Sequence, residues 1–311
     1  MKRVLVFLSF IVVILIFAFT FIKVKENYNI NFEYADNISN ESETNIISDN
    51  TMPEKNADDA FHLADINSPN IVEPILNNVI KPIESSNRIS IIIDDSGNTL
   101  DYIDRYFHLA NEYGITFAVL PDSSHSIDFS YLAYSNNLNV ILHIPMEGSE
   151  YFGEQTLIRN GMNRDEVFKL LDYSFSRVPY AKGMNNHTGS VASKNIDTVS
   201  YMVDYAKNND KYFVDSYTVA GSLIYDIALK NNVKTAKRSV FLDNERDYDS
   251  IMKQWRELIR LSKEHGIAVG IGHYQSEETL NVLANNLPLL FEEGIISVNI
   301  TEVLDTISTN Q

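Results

Sequence analysis

Two adjacent carboxylates, Asp94 and Asp95, follow directly after a short and strongly apolar segment of the chain. Residues 89–93 include four isoleucines, which predicts a strand that is buried on both faces of a sheet. Carboxylates at the end of a buried strand are costly to desolvate unless a positive group meets them. A divalent metal ion would do so, with one Asp as a ligand and its neighbour free for proton transfer. The same residues, followed by Ser-Gly, also fit a turn or a helix cap.

Other polar side chains also come directly after predicted strands. Strands are predicted at residues 89–93, 116–120, 140–143, 212–215, 240–242, 267–271 and 296–300, with a weaker one at 183–185. The carboxyl ends of parallel strands meet at one rim of an α/β fold, where the chemistry of such folds is concentrated. We therefore expect one cluster from the polar residues near these strand ends, which are Asp94, Asp95, His143, Glu147, Asn185, Asn186, His187, Asp215, Asp243 and His273.

The chain has no cysteine, so a bound metal ion would take its ligands from His, Asp or Glu. Asp95, His143 and His187 offer one carboxylate and two neutral imidazoles. Three such ligands with an open coordination position suit a catalytic divalent ion, with Zn²⁺ as the first candidate. The open position would hold a water molecule whose pKa is lowered towards neutrality.

Proton transfer beside such an ion would fall to residues from other strand ends. Asp94 is predicted to act as the general base, and His273 could donate a proton to the leaving group. Arg238 could orient the Asp94 carboxylate through a two-point contact. Substrate contacts and support of these groups are predicted for Glu147, Asn185, Asn186, Asp215 and Asp243.

Several of these residues also have a simpler structural interpretation. His143 could be a satisfied histidine at a sheet edge, and Asp215 or Asp243 could cap a helix or a turn. The Asn185-Asn186 pair is typical of a turn, because Asn tolerates left-handed backbone. Capping alone does not explain why such residues occur together at the ends of separate strands.

Amphipathic segments of helical length separate the predicted strands. Helices are predicted at residues 100–113, 164–176, 198–208, 223–230, 250–265 and 277–291. Asn163 and Glu166 have the spacing of a capping box at the second of them. Strands that alternate with helices indicate a parallel sheet, and seven or eight such units favour an α/β fold closed into a (β/α) barrel.

Residues 1–25 predict a membrane anchor. Lys2 and Arg3 precede an apolar run of 19 residues, 4–22, which is long enough to cross a bilayer as a helix. No small-x-small cleavage site follows this run. The favoured arrangement is a single-pass protein of the cell membrane with its C-terminal domain outside the cytoplasm. Cleavage of the segment would instead release a secreted protein.

Residues 26–86 predict an acidic, disordered linker, and residues 87–311 predict one folded domain. The linker contains twelve acidic residues against Lys55 and Lys81 and has no sustained apolar period. The formal charge of −17 argues against a nucleic-acid partner, which requires a basic surface. The sequence does not indicate an oligomeric state.

Six ordered motifs of the predicted domain resemble those of the divergent polysaccharide deacetylase family. The match runs from about Arg88 to the C-terminus. The motifs are Ile93-Asp94-Asp95-Ser96-Gly97, Leu142-His143-Ile144-Pro145-Met146-Glu147, Gly183-Met184-Asn185-Asn186-His187-Thr188-Gly189-Ser190, Phe213-Val214-Asp215-Ser216, Arg238-Ser239-Val240-Phe241-Leu242-Asp243-Asn244 and Gly270-Ile271-Gly272-His273.

The resemblance implies a distorted (β/α) barrel of the NodB-like deacetylase type and a place among metal-dependent carbohydrate esterases. In the family pattern, an Asp-Asp pair supplies the base and a metal ligand, and a late strand-end histidine supplies the acid. By that pattern Asp94 would be the base, Asp95 and His143 would be ligands, and His273 would be the acid.

The chain departs from the family pattern at the second histidine of the usual His-x-x-x-His motif, where it has Glu147. Either Glu147 replaces that ligand or His187 does. We favour His187, because imidazole is the better partner for zinc.

These observations predict a membrane-anchored, extracytoplasmic, metal-dependent hydrolase. It would remove acetyl groups from an N-acetylated cell-wall or surface polysaccharide. One alternative is a catalytically inactive protein that binds carbohydrate or has a regulatory role in the cell envelope on the same fold. Another alternative is a hydrolase of a different ester or amide, because the site residues do not identify the acyl group of the substrate.

Overall fold

The computed structural model describes residues 87–149 and 156–309. Its centre is a curled parallel sheet with the strand order β5-β4-β3-β2-β1-β7-β6, and β8 pairs with β1 outside this path. The strands are β1 (Asn87–Ser96), β2 (Thr116–Val119), β3 (Asn139–Met146), β4 (Gly183–Thr188), β5 (Tyr212–Val214), β6 (Val240–Phe241), β7 (Ile267–His273) and β8 (Ile295–Ser297).

Helices follow most of the strands, as expected for a parallel sheet. The α-helices are α1 (Ile103–Tyr113), α2 (Ser126–Ser135), α3 (Arg164–Arg177), α4 (Ile196–Asn208), α5 (Ile224–Lys230), α6 (Tyr248–His265), α7 (Glu277–Asn286) and α8 (Ile300–Thr309). Two 3₁₀ segments are Ala192–Lys194 and Leu287–Glu293. The predicted capping box is confirmed, because Asn163 and Glu166 each accept the other's backbone N–H at the start of α3.

Strand β1 is the central strand of the sheet. It pairs with β7 from Arg88 to Asp94, while its other edge pairs first with β8 and then with β2. Its isoleucines alternate between two apolar clusters. Ile89, Ile91 and Ile93 join the larger cluster that includes helical residues, and Ile92 joins a smaller cluster on the opposite face. Burial on both faces explains why residues 89–93 are apolar except for Ser90.

The two ends of the curled sheet are linked by one segment, residues 234–242. Its first half bonds to β5 and the residue after it: Phe213 N–H donates to the carbonyl of Lys234, and Arg238 N–H donates to the carbonyl of Asp215. Its second half bonds to β7, through Leu242 N–H and the carbonyl of Ile271. The prediction of an α/β fold with a parallel sheet is confirmed, and the sheet curls as a half-barrel whose ends meet through this segment.

Two predicted elements differ clearly from the structure, and one helix was not predicted. Residues 296–300 were expected to form one strand, but β8 ends at Ser297 and Ile300 begins α8, which packs into the smaller cluster. Helix α2 was not predicted, because apolar residues occur around its whole circumference and hide the helical period. The predicted helix 277–291 becomes 3₁₀ from Leu287, where Pro288 removes a backbone donor.

No helix within residues 87–149 and 156–309 is both long and apolar enough to span a bilayer. The predicted anchor at residues 1–25 and the predicted linker at 26–86 lie outside the described residues.

We predict that Gly183→Ala destabilises the domain. A Cβ atom at Gly183 would overlap the ring of Tyr212 on the neighbouring strand β5, and overpacking of this kind typically costs about 1–3 kcal/mol. Urea denaturation followed by circular dichroism should show a lower midpoint. Lys182→Ala is the control, because this exposed neighbour should change stability by less than about 0.5 kcal/mol. Equal midpoints for both variants would contradict the tight β4–β5 packing.

Candidate metal centre

Three predicted ligands lie together at the carboxyl ends of β1, β3 and β4. The Oδ1 atom of Asp95 is 3.3 Å from Nε2 of His143 and 3.2 Å from Nδ1 of His187. The two imidazole nitrogens are 3.2 Å apart, so the three atoms form a nearly equilateral triangle. Within the described part of the chain, this trio is the group of His, Cys, Asp and Glu residues whose spacing suits a metal ion.

The trio fits a divalent ion on two counts. A tetrahedral ion with ligands about 2.0–2.1 Å away would hold neighbouring ligand atoms about 3.3–3.4 Å apart. The Asp95 Oδ1 atom is also buried without a hydrogen-bond partner among the described residues, although a buried carboxylate oxygen normally has one. A cation held by the three residues would satisfy this oxygen and both imidazole nitrogens.

Strand geometry explains why these residues meet. In the parallel register of β3 and β4, His143 lies opposite Asn185 and Pro145 lies opposite His187. Residues two apart on a strand share a face, so Asn185 and His187 point the same way, beside His143. Asp95 lies where the register of β1 with β2 shifts, and its left-handed backbone (φ 57°) is one that Asp tolerates.

Asn185 connects the trio to Asp94. The Nδ1–H of His143 donates to Oδ1 of Asn185 at 2.8 Å, which leaves the Nε2 lone pair directed at Asp95. The amide nitrogen of Asn185 donates to Asp94 Oδ1 at 2.8 Å and to the hydroxyl of Ser216 at 3.1 Å. One buried amide therefore orients both a ligand and the predicted base.

The two adjacent carboxylates have opposite electrostatic environments. Burial raises the pKa of Asp94 above its ordinary value, although His143, His273 and the Asn185 hydrogen bond partly offset this effect. Burial also disfavours ionisation of Asp95, but His143 and His187 outweigh it and hold the pKa of Asp95 well below its ordinary range. Asp95 is thus a permanent anion suited to a ligand, whereas Asp94 is better suited to taking up a proton.

His273 lies beside Asp94, because the two are register partners on β7 and β1. Its Nδ1–H donates to Asp243 Oδ1 at 2.7 Å, and Asp243 Oδ2 accepts both the His273 backbone N–H and the hydroxyl of Thr279. Burial alone would lower the pKa of His273, but Asp243 and the nearby carboxylates raise it to about 9. The imidazole is therefore protonated at neutral pH, as a proton donor requires.

The structure places two predicted residues away from their expected partners. Arg238 makes no two-point contact with Asp94 among the described residues; its Nε and Nη2 donate to the carbonyls of Ser216 and Tyr217 at 2.7 and 2.8 Å. Glu147 lies outside the ligand trio, and its Oε2 accepts the backbone N–H of Asn160. The preference for His187 over Glu147 therefore agrees with the geometry, whereas the expected Arg238–Asp94 contact is wrong.

Asn186 and Asp215 support the rim of the site. Asn186 Oδ1 accepts the backbone N–H of Ser216 at 2.9 Å, and its amide donates to the carbonyl of Thr188. Asp215 is fully buried and accepts the backbone N–H of Tyr217, and burial raises the pKa of its carboxyl. The simpler interpretation of Asp215 as a helix or turn cap thus describes it well, since its carboxylate accepts the backbone N–H groups of Tyr217 and Tyr225.

A cleft of about 350 Å³ opens over these groups. Asp94, His143, His187 and His273 line it together with residues that the sequence did not single out as site residues. Thr218 and Asn244 follow the predicted strand ends by a few residues, so their place in the chain was a usable signal. Phe241 lies within a predicted strand and carried no such signal. The remaining lining residues are Gly148, Ser149, Asn186, Thr188 and Ser190.

Comparison with known sequences identifies the family. Residues 91–304, well over half of the chain, match the divergent polysaccharide deacetylase family. The chain therefore belongs to the divergent polysaccharide deacetylase family.

Two curated relatives and one crystal structure extend this comparison. The chain is 31% identical over 204 residues to the uncharacterized protein YibQ of Escherichia coli (strain K12), which is 65% of this chain and 63% of YibQ. It is 28% identical over 210 residues to an uncharacterized protein of Haemophilus influenzae, covering 67% of this chain and 74% of that protein. The fold is similar to that of an uncharacterized protein from Agrobacterium tumefaciens C58, with a TM-score of 0.65 and 17% identity over 70% of this chain and 89% of that chain. The chain thus spans less than two thirds of the Escherichia coli relative.

We predict that Asp95, His143 and His187 determine zinc affinity and that Glu147 does not. Alanine at any of the three positions should weaken Zn²⁺ binding by more than about 100-fold, because losing even an outer partner of a ligand costs about 10–100-fold. Isothermal titration calorimetry on the metal-free protein measures this change. Glu147→Gln is the matched control and should bind as the parent does. A large loss of Zn²⁺ affinity in Glu147→Gln, with unchanged affinity in His187→Ala, would show that Glu147 and not His187 is the third ligand.

We predict that His273 titrates near pH 9 in the metal-free folded protein and that Asp243→Asn lowers its pKa. The raised pKa means that the ion pair contributes its full stability below the ordinary value of 6.5 and loses it as the pH rises through about 9. Asparagine at position 243 removes the charge that raises the pKa of His273, whereas the burial that lowers this pKa remains. NMR titration of the imidazole C–H signals measures both midpoints. A parent midpoint below pH 7 would contradict this account.

Proposed function

We propose that the chain is a metal-dependent hydrolase that removes acetyl groups from an N-acetylated cell-wall or surface polysaccharide. The observation that carries this proposal is the convergence of the Asp95, His143 and His187 ligand atoms, two of whose residues line one cleft with Asp94 and His273. Membership of the divergent polysaccharide deacetylase family supports a polysaccharide substrate.

Asp95, His143 and His187 would hold the ion, with zinc as the first choice for one carboxylate and two imidazoles. When bound there, a divalent ion supplies Lewis acidity towards the acyl carbonyl and lowers the pKa of a water molecule. The protein's own contribution to the ligand set is orientation, because Asn185 fixes which nitrogen of His143 faces the triangle.

Asp94 would accept the proton of the attacking water. It is 2% exposed and held by Asn185, and burial raises the pKa of its carboxyl, which favours uptake of a proton. His273 would protonate the leaving amine nitrogen, since its pairing with Asp243 keeps the imidazole charged at neutral pH. The register of β1 and β7 sets this base and this acid side by side.

The location of the activity is part of the same proposal. Residues 1–25 would anchor the protein in the cell membrane, and residues 26–86 would connect that anchor to the domain outside the cytoplasm. The length and apolar character of residues 4–22 support the anchor, and the acidic composition of residues 26–86 supports an extended linker.

Acetate release tests the reaction. We expect the zinc-loaded protein to release acetate from N-acetylated glycan fragments and to lose this activity with a chelator. Asp94→Asn should abolish release while Zn²⁺ affinity is retained, because it removes the base and leaves the ligands in place. Asp95→Ala should lose both activity and affinity.

Two outcomes would count against the proposal. Equal acetate release with and without chelator would exclude a role for the ion. Tight glycan binding without release, with any divalent metal supplied, would favour the carbohydrate-binding alternative.

A further inference from the structure

Phe241 and His273, which line the cleft, form a stack with Arg238. The guanidinium carbon of Arg238 lies 3.8 Å from the centroid of the Phe241 ring. The Phe241 ring is in turn nearly parallel to the imidazole of His273, with an interplanar angle of 21° and centroids 6.0 Å apart. Both distances fall in the range of favourable cation–π and offset-stacked contacts.

Arg238 is itself held in place. Its side chain is part-buried, and its two hydrogen bonds go to the carbonyls of Ser216 and Tyr217. These carbonyls follow Asp215, whose carboxylate fixes the same turn by accepting the backbone N–H of Tyr217. The guanidinium therefore presents a fixed plane to Phe241 rather than a mobile charge.

His273 needs a constraint that Asp243 does not supply. One hydrogen bond at Nδ1 fixes the position of that nitrogen, but it leaves the ring free to rock about the bond. The Nε2 atom, on the far side of the ring, would then sweep through a range of directions. Contact with a flat ring face opposes this motion, because tilting the imidazole loses the stacking contact.

We propose that Phe241 is a positioning residue for His273 and that Arg238 holds Phe241 in that role. This inference rests on the proposed function, in which His273 delivers a proton to the leaving group. Asp243 anchors one edge of the imidazole, and Phe241 sets the plane of the ring, so that Nε2 keeps one direction in the cleft. The role replaces the contact with Asp94 that the sequence suggested for Arg238.

A second arginine–phenylalanine pair in the domain serves as a control that distinguishes this role from ordinary packing. On α3, the guanidinium carbon of Arg164 lies 3.9 Å from the centroid of the Phe168 ring, which is almost the geometry of the Arg238–Phe241 pair. Phe168 packs against Tyr205 and does not line the cleft. The effect of replacing an arginine-stacked phenylalanine can therefore be compared at Phe241, which lies beside a histidine, and at Phe168, which does not line the cleft.

The test uses the full-length, zinc-loaded protein with ¹³C-labelled histidine. For Phe241→Leu we expect kcat for acetate release to fall by about 10- to 100-fold while KM and Zn²⁺ affinity are unchanged, because the loss is one of alignment. NMR relaxation should show a lower order parameter for the His273 ring. Phe241→Tyr should keep kcat and the His273 order parameter at the values of the parent protein, because it retains the aromatic ring. Phe168→Leu should change neither value.

A second variant protects the test from a folding defect. Arg238→Gln leaves Phe241 in place but removes the plane that holds it, so the His273 order parameter and kcat should fall in the same direction. Unchanged ring order and kcat in Phe241→Leu would overturn the positioning role, as would an equal loss in Phe168→Leu. If the parent protein releases no acetate, the proposed hydrolysis fails, and the ring order alone decides whether Phe241 positions His273.

Discussion

The desolvation of two neighbouring carboxylates at the end of β1 is the constraint on which the rest of the site depends. Asp94 and Asp95 lie near the end of the central strand, where Asp94 is buried and Asp95 is partly buried, so water stabilises their charges poorly. The adjacent strands compensate them in different ways. Asn185 donates a hydrogen bond to one, and His143 and His187 surround the other. The result is one carboxylate that favours a proton and one that favours a cation, although the two are consecutive in the chain.

The strand order divides this chemistry between two sides of β1. Towards β3 and β4 lie the imidazoles that complete the ligand triangle, and towards β7 lies the protonated His273. A parallel sheet brings side chains from distant parts of the sequence to one rim without long loops. Because each group belongs to a hydrogen-bonded strand end, the spacing between ligand atoms is set by the register of the sheet.

Much of the ligand set could be predicted because it depends on strand ends, which the sequence marks by a change from β-branched to polar residues. Asp95, His143 and His187 were found this way, and strand alternation explains why His187 joins them, whereas Glu147 lies beyond the end of β3 and accepts the backbone N–H of Asn160. The hydrogen-bond partners of individual side chains could not be predicted. An arginine can donate to carbonyl as well as carboxylate oxygens, so Arg238 gave no sign that it would bond Ser216 and Tyr217. Phe241 was equally hidden, since an aromatic residue in a strand is usually part of the core. Helix α2 escaped notice because its exposed face carries Ile127, Tyr131 and Tyr134.

Residues 234–242 both join two strands of the sheet and carry side chains that pack beside His273. The backbone of this segment bonds to the edge of β5 and, through β6, to the edge of β7, while its side chains include Arg238 and Phe241, and Asp243 follows it directly. Unpaired strand edges invite association with other chains, so a protein gains from keeping such a segment closed. Local fraying of these few residues would expose two strand edges to association with other chains and would at the same time displace Arg238 and Phe241 from beside His273. Solubility and the geometry of the candidate site thus depend on the same stretch of backbone.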